Sequence, residues 1–459
     1  MASSIPLRPL ASQSELQAFY IGKDINDVPK PAVILDVAII RRHCAAMLEA
    51  TRELGVGFRA HVKTHKTPQI AHLQVGDIPN TPANFVISTV LEGETLLPLF
   101  QELFRAGRPV NVLYGIPLVP SQVPRLAHLA KQIAAGSISV MIDHPDQIDH
   151  LRGFRDIAGF AAGVFLKVDS GYHRAGLPPD GLNKGGLVEK IITMEKEGVI
   201  ELIGVYSHNS LSYAGSTLEE GMQFLREEIL GCREAIRQHT HLLSARQAKG
   251  KELVISVGAT PQVVSIKGLL QGGALSPSRH ELKALLHQED SDDIGRITVE
   301  LHAGVYPILD MQQLSTNTHT GPAEDEIAIS VVAEVCSVYN NAERSTPEAL
   351  IAAGSLALGR EPCPSYPGWG VVSEWRRPKG PGRLIVQRIS QEHAILGWEK
   401  GKGGEEGIPL RVGQSVRIFP NHACVTGALY GWYLVVDSSR EGEGEGERVV
   451  DVWTRPTGW

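Results

Sequence analysis

Cysteine is scarce in this chain and shows no pairing pattern. Cys44, Cys232, Cys336, Cys363 and Cys424 are scattered through 459 residues. That spacing excludes a disulfide-framework domain and reads as reduced thiols in a cytoplasmic protein. Long apolar runs are also missing: no stretch approaches the ~18–20 residues needed to span a bilayer. The opening MASSIPLRPLASQSELQ holds no apolar segment of signal-peptide length, and the terminal PTGW is no peroxisomal address. Nor is there an excess of positive charge. A formal net charge of −7 argues against nucleic acid or an anionic membrane as a bulk partner.

What is present looks globular, with 42% hydrophobic and 21% charged residues. The length suits one large domain plus a smaller one. From about residue 57 to 306, short β-rich runs alternate with helix-compatible segments such as Gly221–His239 and Leu187–Gly198. Eight strands are predicted: Gly57–Thr64, Phe85–Thr89, Val110–Gly115, Ile138–Asp143, Val164–Gly171, Leu202–His208, Leu253–Ala259 and Ile297–Ala303. Eight βα repeats without a glycine-rich dinucleotide fingerprint favour a TIM (β/α)8 barrel over an open parallel sheet.

Beyond about residue 320 the strand-like runs are Ile327–Val338, Ala349–Ala353, Leu384–Ile389, Ser415–Phe419 and Tyr433–Asp437, with Gly/Pro-rich turns between. The expected division is a barrel over 30–320 and a mostly-β domain over 321–459, which residues 1–29 can join. Leu275–Gly295 and the acidic run Glu441–Glu447 are expected as surface-loop insertions.

Barrel chemistry gathers at the C-terminal ends of the strands. There the chain places Lys63, Asp169 with Arg174, Tyr206 with His208, Gly258 with Thr260, and His302 with Gly304. Glycines and small hydroxyl residues after the seventh and eighth strands free backbone N–H groups for a phosphate, although they also suit tight turns. A strand-end lysine among cations (RAHVKTHK) is a usable amine nucleophile, where an isolated one would be an ion-pairing surface residue. Together the two features describe a pyridoxal phosphate site with Lys63 as the covalent anchor. In the β domain, Asn421-His422-Ala423-Cys424 puts His and Cys two apart, on one face if the segment is a strand. Imidazole and thiolate suit zinc; a core cysteine beside a capping histidine gives the same pattern.

The motifs HVKTHKT, VDSGYHRAG, YSHNSLSY, SVGATP, ELHAGVY, SQEHAIL and PNHAC occur in this order. The chain resembles the eukaryotic D-serine dehydratases, relatives of D-threonine aldolases and hydroxyaspartate aldolases or dehydratases, over roughly residues 30 to 440. That resemblance implies an alanine-racemase-like barrel plus β domain (the type III pyridoxal phosphate fold), with D-amino acid substrates. It further implies a homodimer in which the β domain of one subunit closes the other's site. It makes Lys63, not Lys66, the Schiff-base lysine, and His422 and Cys424 the zinc ligands. Thr67, Tyr206, Tyr213, Thr260, Gly304 and Val305 match cofactor contacts. Arg174 matches an arginine near cofactor or substrate carboxylate, and His208 a residue beside the pyridine ring. Two stretches depart from the family pattern: Asn209-Ser210 after the histidine, and Ala353–Arg360. Cysteine at 424 points to the dehydratases, since the aldolases tend to carry aspartate there. D-serine, D-threonine and β-hydroxyaspartate all stay open as substrates, as does a non-catalytic cofactor-binding protein.

Overall fold

The computed structural model describes residues 11–247, 250–270, 276–287, 296–319, 321–376, 382–400 and 407–459. They form two compact units. Strand β1 (Ala32–Asp36) belongs to the second of these. The next eight strands make the first unit, built on Arg41–Pro307. They are β2 (Gly57–His61), β3 (Ala83–Ile87), β4 (Val110–Pro117) and β5 (Ile138–Ile142), then β6 (Ala162–Lys167), β7 (Ile200–Tyr206), β8 (Leu253–Val257) and β9 (Ile297–Ala303). Each pairs in parallel with its successor, and β2 closes the barrel on β9 from Gly57↔Glu300 to Ala60↔Ala303. The expected barrel is therefore the one observed, with every predicted strand in place.

Alternation along the strands sorts the barrel interior into layers. Val86, Leu113, Met141 and Phe165 form an apolar layer together with Tyr206. Two residues earlier on the same faces stand Asn84, Asn111, Ser139 and Gly163. Gly163 is required there, because a Cβ would sit 2.3 Å from Ser139 Oγ. This polar layer encloses a buried ion pair, Arg59 Nε to Glu300 Oε1 at 2.6 Å. Arg59 Nη1 also reaches Asn111 Oδ1 at 2.8 Å, and Glu300 accepts from Asn84 and Ser256, each at 2.8 Å. A buried pair persists only with its remaining hydrogen-bonding capacity met, and these neighbours meet it.

Outside, the helices begin where their caps predict. Thr89 accepts from Glu92 N at the start of Val90–Arg105, and Thr217 from Glu220 N at the start of Leu218–Gln238. Within the expected insertion Leu275–Gly295 the structure instead shows a helix, Pro277–His287, with Leu282, Leu285 and Leu286 buried. Their i, i+3, i+4 spacing is a helical face hidden in a polar stretch. Residues 275 and 288–295 lie outside the described residues.

The second unit holds the remaining strands: β10 (Ile329–Tyr339), β11 (Glu348–Ile351), β12 (Gly370–Val372), β13 (Leu384–Ile389), β14 (Ala394–Trp398), β15 (Ser415–Pro420), β16 (Trp432–Val436) and β17 (Asp451–Thr454). With β1 they form a nine-stranded sheet in the order β11-β14-β13-β12-β15-β10-β1-β16-β17. This corrects the expected boundary at residue 30: β1 lies between β10 and β16, and the barrel unit starts at Arg41. The run AVILD is buried at all five positions, so it lacks the alternation that marks a one-sided strand. Adjacent residues of β10 feed opposite cores. Val331 packs with Ile351, Leu396 and Ile418, and Val332 with Ile25, Ile34 and Val436. The acidic run is also less solvated than expected, since Glu447 accepts from Trp375 Nε1 at 2.6 Å and from Arg376 Nε at 2.9 Å. Among the described residues, no helix is long and apolar enough to cross a membrane.

Candidate active site

The same period of two that layers the barrel builds its mouth. Two residues beyond Arg59 stands His61, and beyond that Lys63. Likewise Phe165 leads to Lys167 and Asp169, and Tyr206 to His208. These side chains line one cavity of about 470 Å³, with Arg174 and Tyr172 from the loop after β6. The lining carries Lys63, Lys167 and Arg174 as cations. Its carboxylate, Asp169, is engaged by the loop: it accepts from Gly171 N and His173 N at 3.0 Å each and pairs with His173 Nδ1 at 2.8 Å. The cavity therefore favours an anion.

The cations of RAHVKTHKTP separate by role. Arg59 serves the interior layer. Lys66, with a left-handed φ of 57°, sends its ammonium 3.2 Å from buried Glu92. His65 is buried between Thr67 and Gln74, 3.2 and 3.0 Å away. Lys63 is the lysine that opens onto the cavity.

Histidines at the mouth are neutral. Burial, then the charge of Lys63, pushes His208 down to about 3, and its Nδ1–H donates to Gly258 O at 2.7 Å. Burial also holds His61 and His302 well below the ordinary range. Ser256 Oγ donates to Glu300, so His302 Nδ1–H donates to Ser256 at 3.2 Å. The ring of His302 stacks on Tyr206 at 4.3 Å and 6°. Burial lowers the Lys167 ammonium, against Glu228; its Nζ donates to Val168 O at 2.8 Å.

Of the predicted cofactor residues, Lys63, Arg174, Tyr206 and His208 share the cavity lining; the others do not line it. Gly258 joins through its carbonyl bond to His208. Gly304 packs against His61, where a Cβ would lie 3.1 Å from the histidine Cβ. Thr260 starts the helix Thr260–Ser265, with its hydroxyl buried and without a partner. Thr67 caps Pro68–Val75, Tyr213 sits in the short helix Ser210–Ala214, and Val305 is buried after β9. Asn209 caps that short helix, accepting from Leu211 N at 3.0 Å. A cation-lined cavity holding a lysine, with a partnerless buried hydroxyl at the start of the helix after β8, fits pyridoxal phosphate.

In the second unit, His422 and Cys424 do not share a strand as expected. β15 ends at Pro420, His422 is an extended N-cap, and Cys424 lies in the helix Ala423–Ala428. The junction still brings the two side chains together. Burial would lower the His422 imidazole, but the Cys424 thiol, Asp310 and Glu361 outweigh it and raise it to about 9. His422 Nδ1 is buried without a hydrogen-bond partner, and Glu361 Oε2 is 4.0 Å from it. Imidazole and thiol are ligand types of zinc, so this pair fits the metal in its chemistry.

Sequence reasoning passed over Lys167, Asp310 and Glu361. Lys167 was findable, two residues before Asp169 on the inward face. Asp310 was readable as an N-cap ahead of MQQL. Nothing local marks Glu361.

The chain matches the family model for the alanine racemase N-terminal domain over residues 35–267, and that for a putative serine dehydratase domain over 328–436. It is 34% identical to a D-serine dehydratase of Schizosaccharomyces pombe, covering 98% of this chain and 96% of the relative. Identity to the Saccharomyces cerevisiae D-serine dehydratase is 30%, covering 96% and 98%. The solved D-threo-3-hydroxyaspartate dehydratase of Delftia sp. HT23 superposes with a TM-score of 0.71 at 25% identity, covering 95% of this chain and all of that one. Solved variants of a D-threo-3-hydroxyaspartate dehydratase replace a histidine and, two positions later, a cysteine by alanine; the cysteine variant is metal-free. On near-full-length identities of 34% and 30%, this chain belongs to the D-serine dehydratase family of pyridoxal phosphate-dependent lyases.

Proposed function

We propose that the protein converts D-serine to pyruvate and ammonia, with pyridoxal phosphate at Lys63 and zinc at His422 and Cys424. The observation that carries the substrate is the end-to-end 34% identity to a D-serine dehydratase, joined to the cysteine at 424. When bound, pyridoxal phosphate supplies an electron sink for the α-carbon and zinc a Lewis acid for the β-hydroxyl.

The chain's own groups account for the remainder. The Lys63 amine takes the α-proton of the D-amino acid. Arg174 offers the substrate carboxylate a planar pair of donors. His208 is fixed as a neutral ring by the Gly258 carbonyl, so it adds no charge beside the reacting centre. Thr67, Tyr206, Tyr213, Thr260, Gly304 and Val305 are assigned to the cofactor's ring and phosphate. His422 and Cys424 would hold the metal, which would supply Lewis-acid assistance to departure of the β-hydroxyl. A homodimer and a cytoplasmic setting belong to the same reading.

The test is a panel of D-amino acids assayed for keto acid with and without chelator. Pyruvate from D-serine, lost with EDTA and restored by zinc, is expected. Glycine and acetaldehyde from D-threonine would replace this reading by the aldolase. Colour without turnover on any substrate would replace it by a cofactor-binding protein.

A further inference from the structure

One short segment holds the chain on both sides of His422. Gln312 N donates to Asn421 O at 3.1 Å, and Ala423 N donates to Asp310 Oδ2 at 2.7 Å. The carbonyl before His422 and the N–H after it are thus both pinned to residues 310–312, where the helix Met311–Leu314 begins. Thr426 N then donates to His422 O at 3.1 Å, opening the helix that carries Cys424. Asn421 Nδ2 adds bonds to Glu361 O at 3.0 Å and Gly368 O at 2.9 Å.

Asp310 is only 1% exposed, and both of its oxygens are engaged. Oδ1 accepts from Gln313 N at 2.9 Å as the helix cap, and Oδ2 takes Ala423 N, between the two expected ligands. Capping requires only the first of these bonds, and serine or asparagine caps a helix as well as aspartate does. A carboxylate in a buried place brings a charge that has to be met. Among the described residues no lysine or arginine pairs with Asp310, and the positive group acting on it is His422.

We propose that Asp310 is the positioning residue of the metal pair, fixing the backbone between His422 and Cys424 and setting a buried negative charge beside them. The inference rests on the zinc reading of that pair. Asp310 is not a ligand; it acts through the N–H of Ala423 and through its charge. One thiolate and this carboxylate together balance the two positive charges of the ion, which the thiolate alone does not. The carboxylate that a capping role leaves unexplained is explained by a cation site at the turn.

The experiment uses the full-length holoprotein with Asp310→Ser and Asp310→Asn. Serine keeps the helix cap and removes both the bond to Ala423 and the charge. Asparagine keeps the shape and one bond and removes the charge, so it serves if the serine variant does not fold. Zinc affinity is read by chelator competition, and the ligand geometry by the visible d–d bands of the cobalt-substituted protein. Both variants should bind zinc about 10- to 100-fold more weakly and show altered cobalt bands. The cofactor absorbance at Lys63 should be unchanged, and the metal-free variants should still unfold in one cooperative denaturant transition. Wild-type zinc affinity and cobalt bands in Asp310→Asn overturn the proposal. So does zinc loss that comes with loss of the cooperative transition, because Asp310 would then be structural alone. Zinc retained in His422→Ala overturns the parent reading of the pair. Zinc lost there, with Asp310→Asn unaffected, sinks only the role of Asp310.

Discussion

The barrel mouth and the turn after β15 treat the same side chain in opposite ways. At the mouth, burial and neighbouring cations keep His61, His208 and His302 neutral, with His208 pushed down to about 3. At the turn, a thiol and two carboxylates outweigh burial and raise His422 to about 9. The difference lies in the company, not in the imidazole. A cavity with Lys63, Lys167 and Arg174 is prepared for an anion, and a turn with Cys424, Asp310 and Glu361 for a cation. Each region is charged against its proposed guest.

The sharpest way to test that division is to remove each anchor separately. Lys63→Ala should cost at least about 10³-fold in turnover, as loss of a covalent anchor and base does. It should abolish the visible absorbance of the bound cofactor while zinc stoichiometry stays at the wild-type value. Cys424→Ala should show the mirror image: the metal is lost, colour is kept, and keto acid release falls by on the order of 10²-fold or more, as several kcal/mol of Lewis-acid assistance implies. Absorption spectra and metal analysis on the same two preparations decide it. If Cys424→Ala also bleaches the protein, the two regions are not independent and the comparison breaks.

The barrel was legible because its strands carry local signals. Ile297–Ala303 was predicted at its observed bounds, and the other seven barrel strands within a few residues. The sheet was less so. Ala32–Asp36 is buried throughout, Gly370–Val372 is three residues long, and Asp451–Thr454 follows a run of acids and glycines; none shows a readable alternation. The same physics limits the sites. Lys63, Tyr206 and His208 sit at strand ends, which a period of two locates. Glu361 reaches His422 across 61 positions of sequence through a loop held by Asn421, and no local pattern encodes that approach.

A smaller effect probes the polar floor beneath the mouth. Glu300→Gln leaves Arg59 buried without its counter-ion and should destabilise the barrel by about 3–5 kcal/mol, measured as a lower denaturant midpoint. Replacing Arg59 and Glu300 together by apolar residues should recover part of that loss, since the uncompensated charge is then gone. Full additivity of the two single losses would show that the pair does not act as a unit.

The smallest effect concerns His208 and carries a definite sign. Its folded value is about 3, below the ordinary 6.5 of the unfolded chain. Below pH 6.5 the unfolded state binds a proton that the folded ring refuses, so stability falls as pH drops from 6.5 towards 3. The slope approaches about 1.4 kcal/mol per pH unit for one such histidine. His61 and His302, also depressed, add slopes of the same sign. His208→Asn removes one share, because the amide can still donate to the Gly258 carbonyl but does not titrate. Denaturant midpoints of the apoprotein between pH 7 and 5 should therefore fall less steeply in the variant, by about one proton's worth. An unchanged slope would mean that His208 titrates in the fold as it does in the unfolded chain. The contrast between a neutral barrel mouth and a charged sheet turn would then be lost.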